Sequence, residues 1–246
     1  MTPRIILALP AYNESGNLRP LVESAMLVFR SREISCRIIV VDDGSTDNTS
    51  AVLEQLAREY PLSVVTHPEN RGLGVAIMSS ITTALEESAS PDDIIVNMDA
   101  DNTHDPAYIP QMAGKIWSGS YDVVIASRYR DGSREVGVPL FRRILSRGAR
   151  LLFQTALRLP DVRDYTCGYR AYRASVLRAA MDKYDGRLIT RKGFACTDEL
   201  LVHVSTITRR MTEVPFVLRY DKKRGRSKLP LMRTVMETLR MLIQRD

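Results

Sequence analysis

The chain has 246 residues, 44% of them hydrophobic: enough apolar material for one large α/β domain and too much for a disordered chain. Three scattered cysteines, Cys36, Cys167 and Cys196, suit neither a disulfide framework nor a metal clip, and no apolar run approaches the ~20 residues of a membrane-spanning helix. The net charge of +6 is localised, because Arg219–Asp246 carries nine basic residues against three acidic ones; this directs attention to an anionic partner near the C-terminus, such as a phosphate, a membrane surface or nucleic acid. The opening MTPRIILALP has one basic residue and a short apolar run, so no signal peptide is expected and a cytoplasmic protein is.

In chain order, RIILALP (4–10) predicts a buried strand, and Ser15 is expected to cap a helix to about Arg32, with Leu18, Leu21, Val22, Ala25, Met26 and Phe29 on one face. RIIVV (37–41) predicts a second strand running into Asp42-Asp43-Gly44-Ser45, after which Thr46 or Asp47 caps a second helix. LSVVTH (62–67) is a third strand, and Arg71-Gly72-Leu73-Gly74 leads a helix to about Glu87. DIIVNM (93–98) is a fourth, followed by a helix opened by Pro106 and a strand at YDVVIASRY (121–129). The second half predicts a helix from Pro139 to about Leu157 with a basic face, a strand at 167–173, a helix from Ala195 to Arg209 and a strand at 213–220. DKKRGRSK (221–228) is a basic loop. The closing helix sets Leu229, Met232, Val235, Met236, Leu239, Leu242 and Ile243 on one stripe, suited to a membrane interface, to a membrane-anchoring partner or to docking on its own domain.

Continuous apolar runs, rather than alternating ones, indicate strands buried on both faces, hence a mostly parallel sheet between helices. Ligands of such sheets lie at the carboxyl ends of the strands. Three of those ends are acidic: Ala11-Tyr12-Asn13-Glu14, Asp42-Asp43-Gly44-Ser45 and Asp99-Ala100-Asp101. A G-x-G-x-x-G turn after the first strand is absent, which argues against nicotinamide or flavin binding. Two carboxylates one residue apart repel, and a divalent cation relieves the repulsion. Oxygen ligands select Mg²⁺ or Mn²⁺, with diphosphate oxygens completing the shell. No Ser/His/Asp triad is expected; His67 and His203 read as structural, and Trp117, Tyr165, Tyr169 and Tyr172 as packing residues.

The motifs LPAYNESGNL (9–18), VVDDGSTDNT (40–49), NRGLGVA (70–76), MDADNTHDP (98–106) and ASRY (126–129) resemble the inverting glycosyltransferases of family 2 in order and spacing. RRILSRGA (142–149), DYTCGYRAYR (164–173), GFACTDELL (193–201) and RGRSKL (224–229) are similar to dolichol-phosphate mannose synthases and other polyprenyl-phosphate glycosyltransferases. The resemblance implies a GT-A fold, with a Rossmann-like sheet, in a catalytic domain over 1–228. Residues 1–130 would hold the nucleotide sugar, residues 131–228 the acceptor, and 229–246 would form the appended amphipathic helix. It places Pro10, Tyr12, Glu14, Asp42, Asp43, Ser45, Gly72 and Asp99 around the donor, with Arg226 and Lys228 closing over its phosphates. Asp101 becomes the main metal ligand, aided by Asp99 and, more weakly, Thr103; Asp198 and Glu199 sit where a catalytic base is found. Arg128, Arg142 and Ser146 match acceptor-phosphate positions. The default reaction is transfer of mannose from GDP-mannose to a polyprenyl phosphate. A soluble hydroxyl acceptor is the alternative enzyme reading, and a non-catalytic nucleotide- or nucleic-acid-binding protein is the alternative of another class. Nucleic acid is not expected, since the basic tail lacks interleaved aromatics.

Overall fold

A computed structural model describes residues 3–222. Arg226, Lys228 and the expected helix over 229–246 lie outside the described residues, as does the side chain of Arg142.

The first four strands are β1 (Ile5–Ala11), β2 (Cys36–Asp42), β3 (Leu62–Thr66) and β4 (Ile94–Asn97), linked by helices α1 (Ser15–Ser31), α2 (Thr49–Glu59) and α3 (Leu73–Glu87). A 3-10 turn at Pro106–Tyr108 leads into α4 (Ile109–Trp117) and β5 (Val123–Ser127). Then come β6 (Arg134–Val136), α5 (Leu140–Leu157), β7 (Arg170–Arg173), α6 (Ala174–Lys183) and α7 (Cys196–Ser205). The last strands are β8 (Met211–Pro215) and β9 (Val217–Arg219).

Seven strands form one sheet in the order β3-β2-β1-β4-β7-β5-β8, and β6 pairs with β9 in a separate ribbon. All pairings in the large sheet are parallel except those of β7, which runs antiparallel to β4 and β5. The mostly parallel, helix-flanked α/β sheet is the one expected from the apolar runs. Every residue of β1 is buried, so both its faces are covered, as a central parallel strand requires.

Several boundaries differ from expectation for local reasons. Ser15 is the first residue of α1 rather than a side-chain cap; its hydroxyl donates to Asp47 Oδ2 at 2.7 Å. Asp47 does act before α2, where Oδ1 accepts the Thr49 N–H at 3.0 Å. The strand expected at 167–173 starts only at Arg170, because the preceding loop is committed to side-chain contacts described below. The strand expected at 213–220 is split at the buried Phe216 into β8 and β9. Trp117, expected in the core, is partly exposed at the last turn of α4, over a shallow cleft with Pro3, Asp92 and Arg173. Tyr165, Tyr169 and Tyr172 are buried as expected.

Candidate functional site

Strand order brings the acidic loops together. β1 lies between β2 and β4, and Ala11 is in register with Asp42 while Ala8 is in register with Asn97. The loops after β1, β2 and β4 therefore leave the same sheet edge side by side, with connections diverging on either side of β1.

Polar contacts lace these loops into one rim. Asn13, held at φ +54°, receives the Thr46 N–H on Oδ1 at 2.8 Å, and its own N–H donates to Ser45 Oγ at 2.9 Å. The Glu14 N–H donates to Thr49 Oγ1, and Glu14 Oε2 accepts from Asn17 Nδ2 at 2.7 Å. Asn102, at φ +62°, returns the β4 loop to α1 by donating to Asn17 O at 2.9 Å. Pro10 lies within β1, opposite Val41, and Tyr12 follows the strand end.

The two neighbouring carboxylates after β2 have different tasks. Asp42, wholly buried, accepts from Ser45 N–H at 3.0 Å and from Ser50 Oγ at 2.6 Å, which fixes the turn. Asp43 secures the next loop: it accepts from Arg71 N–H and Gly72 N–H at 3.0 and 2.9 Å and lies 2.6 Å from His67 Nδ1. His67 Nε2 is in turn 2.9 Å from Ser79 Oγ, so the chain does hold a Ser-His-Asp line that the sequence did not suggest. With Asp43 also bonded to two backbone amides, that line ties the 67–72 loop to α3, in keeping with the structural role expected of His67.

After β4, Asp101 is buried and accepts on Oδ1 from both Thr103 N–H (3.1 Å) and Thr103 Oγ1 (2.6 Å). Thr103 thus orients Asp101. The Asp99 side chain is 45% exposed; its backbone N–H donates to His104 Nδ1 at 3.3 Å, and Oδ2 lies 3.9 Å from His104 Nε2. His104 is itself buried, stacked on Tyr169 at 5.1 Å. Among the described residues no three acidic, His or Cys side chains form a metal cage. The exposed Asp99 carboxylate and the oriented Asp101 fit the sparser protein shell of a hard cation whose remaining positions go to water and phosphate oxygens.

The second half of the chain supplies the opposite wall. A Cβ on Gly74 would stand 1.8 Å from Arg191 O, and one on Gly72, which has φ +96°, 2.8 Å from Lys192 O. Only glycine admits the 191–192 backbone this close, and Gly74 N–H donates to Lys192 O at 3.1 Å. This contact carries α7 to the site. Gly168 sits between Thr197 and Asp99, since a Cβ there would be 3.4 Å from Thr197 Cγ2 and 3.8 Å from Asp99 Oδ1. Asp198 and Glu199 are both buried in the first turn of α7, where negative charge suits the helix dipole. Glu199 accepts from Thr190 N–H, Thr190 Oγ1 and Arg191 N–H at 3.0, 2.6 and 3.0 Å, and so anchors the approaching loop.

Arg128 follows β5 and is clamped by Asp164: Nε donates to Oδ2 at 2.8 Å, one terminal nitrogen to Oδ1 at 2.6 Å, and the backbone N–H to Oδ2 at 2.9 Å. Burial opposes ionisation of Asp164, yet the Arg128 guanidinium beside it holds the carboxyl below its ordinary range. Tyr129 OH lies 2.6 Å from Ser146 Oγ on α5, with Arg150 over the Tyr129 ring. Residues that sequence reasoning missed are Asp164, Asn13, Asn17, Asn102, Gly74 and Arg170. Arg170 is buried and donates to Thr197 O and Tyr165 O, both at 2.5 Å. All six stand in quoted motifs, but their partnerships join residues distant in sequence and carry no periodic signal.

The pattern of glycosyl transferase family 2 matches residues 7–180. An undecaprenyl-phosphate mannosyltransferase of Micrococcus luteus is 32% identical over 92% of this chain and 87% of its own length. A dolichol-phosphate mannosyltransferase of Pyrococcus furiosus is 31% identical over 96% of this chain, which spans 62% of that relative's length. In three dimensions, glucosyl-3-phosphoglycerate synthase of Mycobacterium tuberculosis, solved with Mn²⁺, UDP and phosphoglyceric acid, superposes with a TM-score of 0.67 at 21% identity, over 98% of this chain and 76% of that one. The fold is thus shared with a GT-A enzyme, and by the family match and the identity to its relatives the chain belongs to glycosyl transferase family 2.

Proposed function

We propose that this glycosyltransferase moves a sugar, mannose from GDP-mannose by default, onto a polyprenyl phosphate with inversion at the anomeric carbon. The observation that carries the reading is the laced rim of Asp42, Asp99 and Asp101 at one sheet edge, faced by α7. The names of the relatives, mannosyltransferases acting on undecaprenyl and dolichol phosphates, support the acceptor class.

In this reading the turn held by Asp42 and Ser45, together with Tyr12 and Glu14, receives the nucleoside. Asp99 faces the sugar end of the donor. A divalent cation held by Asp101 and Asp99 would supply charge neutralisation for the departing diphosphate. Thr103 keeps the Asp101 carboxylate in one orientation, so little reorganisation accompanies the reaction. A phosphate acceptor is already ionised at neutral pH and needs no base; its oxygen attacks the anomeric carbon as the nucleotide leaves from the opposite face. Ser146, Arg142 and Arg128 line the acceptor side in this reading, with Arg128 held rigid by Asp164. The enzyme works at the cytoplasmic face of a membrane, where its acceptor resides.

A thermal-shift panel of GDP, UDP, dTDP, ADP and CDP, each with Mn²⁺ and with EDTA, tests the donor site. A ligand at a hundred times its Kd adds about 2.7 kcal/mol of apparent stability. Metal-dependent stabilisation by one nucleotide, lost in Asp101→Asn, is the expected result; no shift with any nucleotide overturns the reading. Transfer to a hydroxyl acceptor is the second reading, favoured by the buried Asp198 as a positioned carboxylate. Under it Asp198→Asn abolishes turnover, whereas a phosphate acceptor leaves that variant active.

A further inference from the structure

A cleft of about 440 Å³ opens between β6 and α5, lined by Arg128, Tyr129, Arg134, Arg143 and Arg147. Glu135 lines it as well, and is the one carboxylate to do so among the described residues. An acid in a cleft of arginines works against any phosphate the arginines attract. The fold keeps it there. Along β6, Arg134 and Val136 are exposed, while Glu135 between them is turned inward, its side chain only 10% exposed. The strand is pinned on both sides of it: Arg134 N–H donates to Phe216 O at 3.2 Å, and Glu135 is in register with Leu218 of β9.

The contacts of Glu135 face the cleft. It lies 3.3 Å from Arg143 Nε, on a guanidinium that is itself 40% exposed. Burial raises the Tyr129 phenol above its ordinary pKa, and the Glu135 charge adds to the rise, so the carboxylate is within electrostatic reach of the Tyr129–Ser146 pair. Arg128 is already matched by Asp164. Among the described side chains of the cleft, three arginines (134, 143 and 147) then stand against one carboxylate, an excess of two positive charges. That excess suits a phosphate monoester, which carries about −1.5 to −2 at neutral pH. A diphosphate brings a further ionised group. Size does not exclude it, because a cleft of about 440 Å³ has room for more than one phosphate.

We propose that Glu135 is the specificity-determining residue by which this enzyme accepts a prenyl phosphate and rejects a prenyl diphosphate. The arginines attract either ligand, and the fixed carboxylate repels the second phosphate, so that discrimination comes from a repulsive element built into an attractive site. The inference rests on the lipid-phosphate reading and narrows it to the monophosphate; it does not depend on which sugar is moved.

The test is isothermal titration calorimetry of the full chain with geranyl phosphate and with geranyl diphosphate, in EDTA so that no cation draws the diphosphate to the donor side. Wild type is expected to bind the phosphate on the order of tenfold tighter than the diphosphate, the effect of one unit charge at about 6 Å in a partly screened cleft. Glu135→Gln is expected to close that gap by tightening the diphosphate, and Arg143→Gln to weaken both ligands. The Glu135–Arg143 pair sits at a partly exposed surface, so both variants keep the wild-type melting curve. A preference unchanged in Glu135→Gln overturns the proposal, as does a wild type that binds the two ligands equally. Loss of both ligands in Glu135→Gln overturns it in favour of a carboxylate that only holds Arg143 in place. Binding of neither ligand to wild type, with the metal-dependent nucleotide shift intact, overturns the lipid-phosphate reading and this inference with it, and leaves the donor site standing.

Discussion

Replacing Asp164 by Asn tests whether Arg128 is a pillar of the fold. The side chain of Asp164 is wholly buried and that of Arg128 only 15% exposed, so solvent screens the pair weakly. Both carboxylate oxygens accept from the Arg128 guanidinium, and Oδ1 also accepts the Cys167 N–H at 3.1 Å. Either orientation of an asparagine amide therefore turns an NH₂ group against a guanidinium N–H, and the buried cation loses its counter-charge. Breaking a buried pair in this way costs about 3–5 kcal/mol. At about 2–4 °C per kcal/mol for a chain of this size, the melting temperature falls by roughly 6–20 °C. Urea denaturation followed by circular dichroism measures the loss without adding salt. The pH dependence has a definite sign: a carboxyl held below its unfolded value stabilises the fold above that value, and the contribution disappears as pH falls through the folded pKa. The wild-type advantage over Asp164→Asn is therefore constant at neutral pH and shrinks in acid. A loss under about 1 kcal/mol at pH 7, or an advantage that grows on acidification, refutes the argument.

Gly74→Ala places a methyl group within bonding range of Arg191 O, so the 190–196 segment must move; a stability loss of about 1–3 kcal/mol together with weakened nucleotide shifts is expected, and an unchanged nucleotide shift would separate α7 from the donor site. Burial, reinforced by the Asp164 charge, pushes the Cys167 thiol up to about 12, and Cys196 is raised further by burial and by the nearby carboxylates. At pH 8 a disulfide reagent is expected to titrate Cys36, the one partly exposed thiol of the three, first, at a rate slowed by the burial that raises its thiol, and the other two only after denaturation; fast reaction of all three in the native protein contradicts the packing around α7 and the 164–168 loop.

The first half of the fold was legible because each strand there carries a short apolar run that leads into a turn or an acidic loop, and those loops had to meet once the sheet was parallel. The insertion of β7 between β4 and β5 was not, since a four-residue strand shows no direction in its sequence. The Asp42 and Asp99-x-Asp101 positions stood out as charge at strand ends. The clamp on Arg128 did not, because Asp164 lies 36 residues away with no pattern joining them. Glu199 was read as standing where a catalytic base is found, whereas the 190–191 loop folds back onto it. Helix α5 was read by its arginines. It has two apolar arcs, and only the folded chain shows which of them faces inward.

The place of β7 also sets a timetable. β5 pairs only with β7 and β8, both of which are made after it. On the ribosome the four strands β3, β2, β1 and β4 have all their mutual partners once Asn97 has emerged, while β5 waits with both edges bare until the chain reaches the 170s. During that interval β4 likewise presents an open edge to any strand at hand. The nascent protein is most exposed to mispairing over that stretch of synthesis, and the arrival of four residues, Arg170–Arg173, joins the lone strand β5 to the four-stranded sheet before β8 is made.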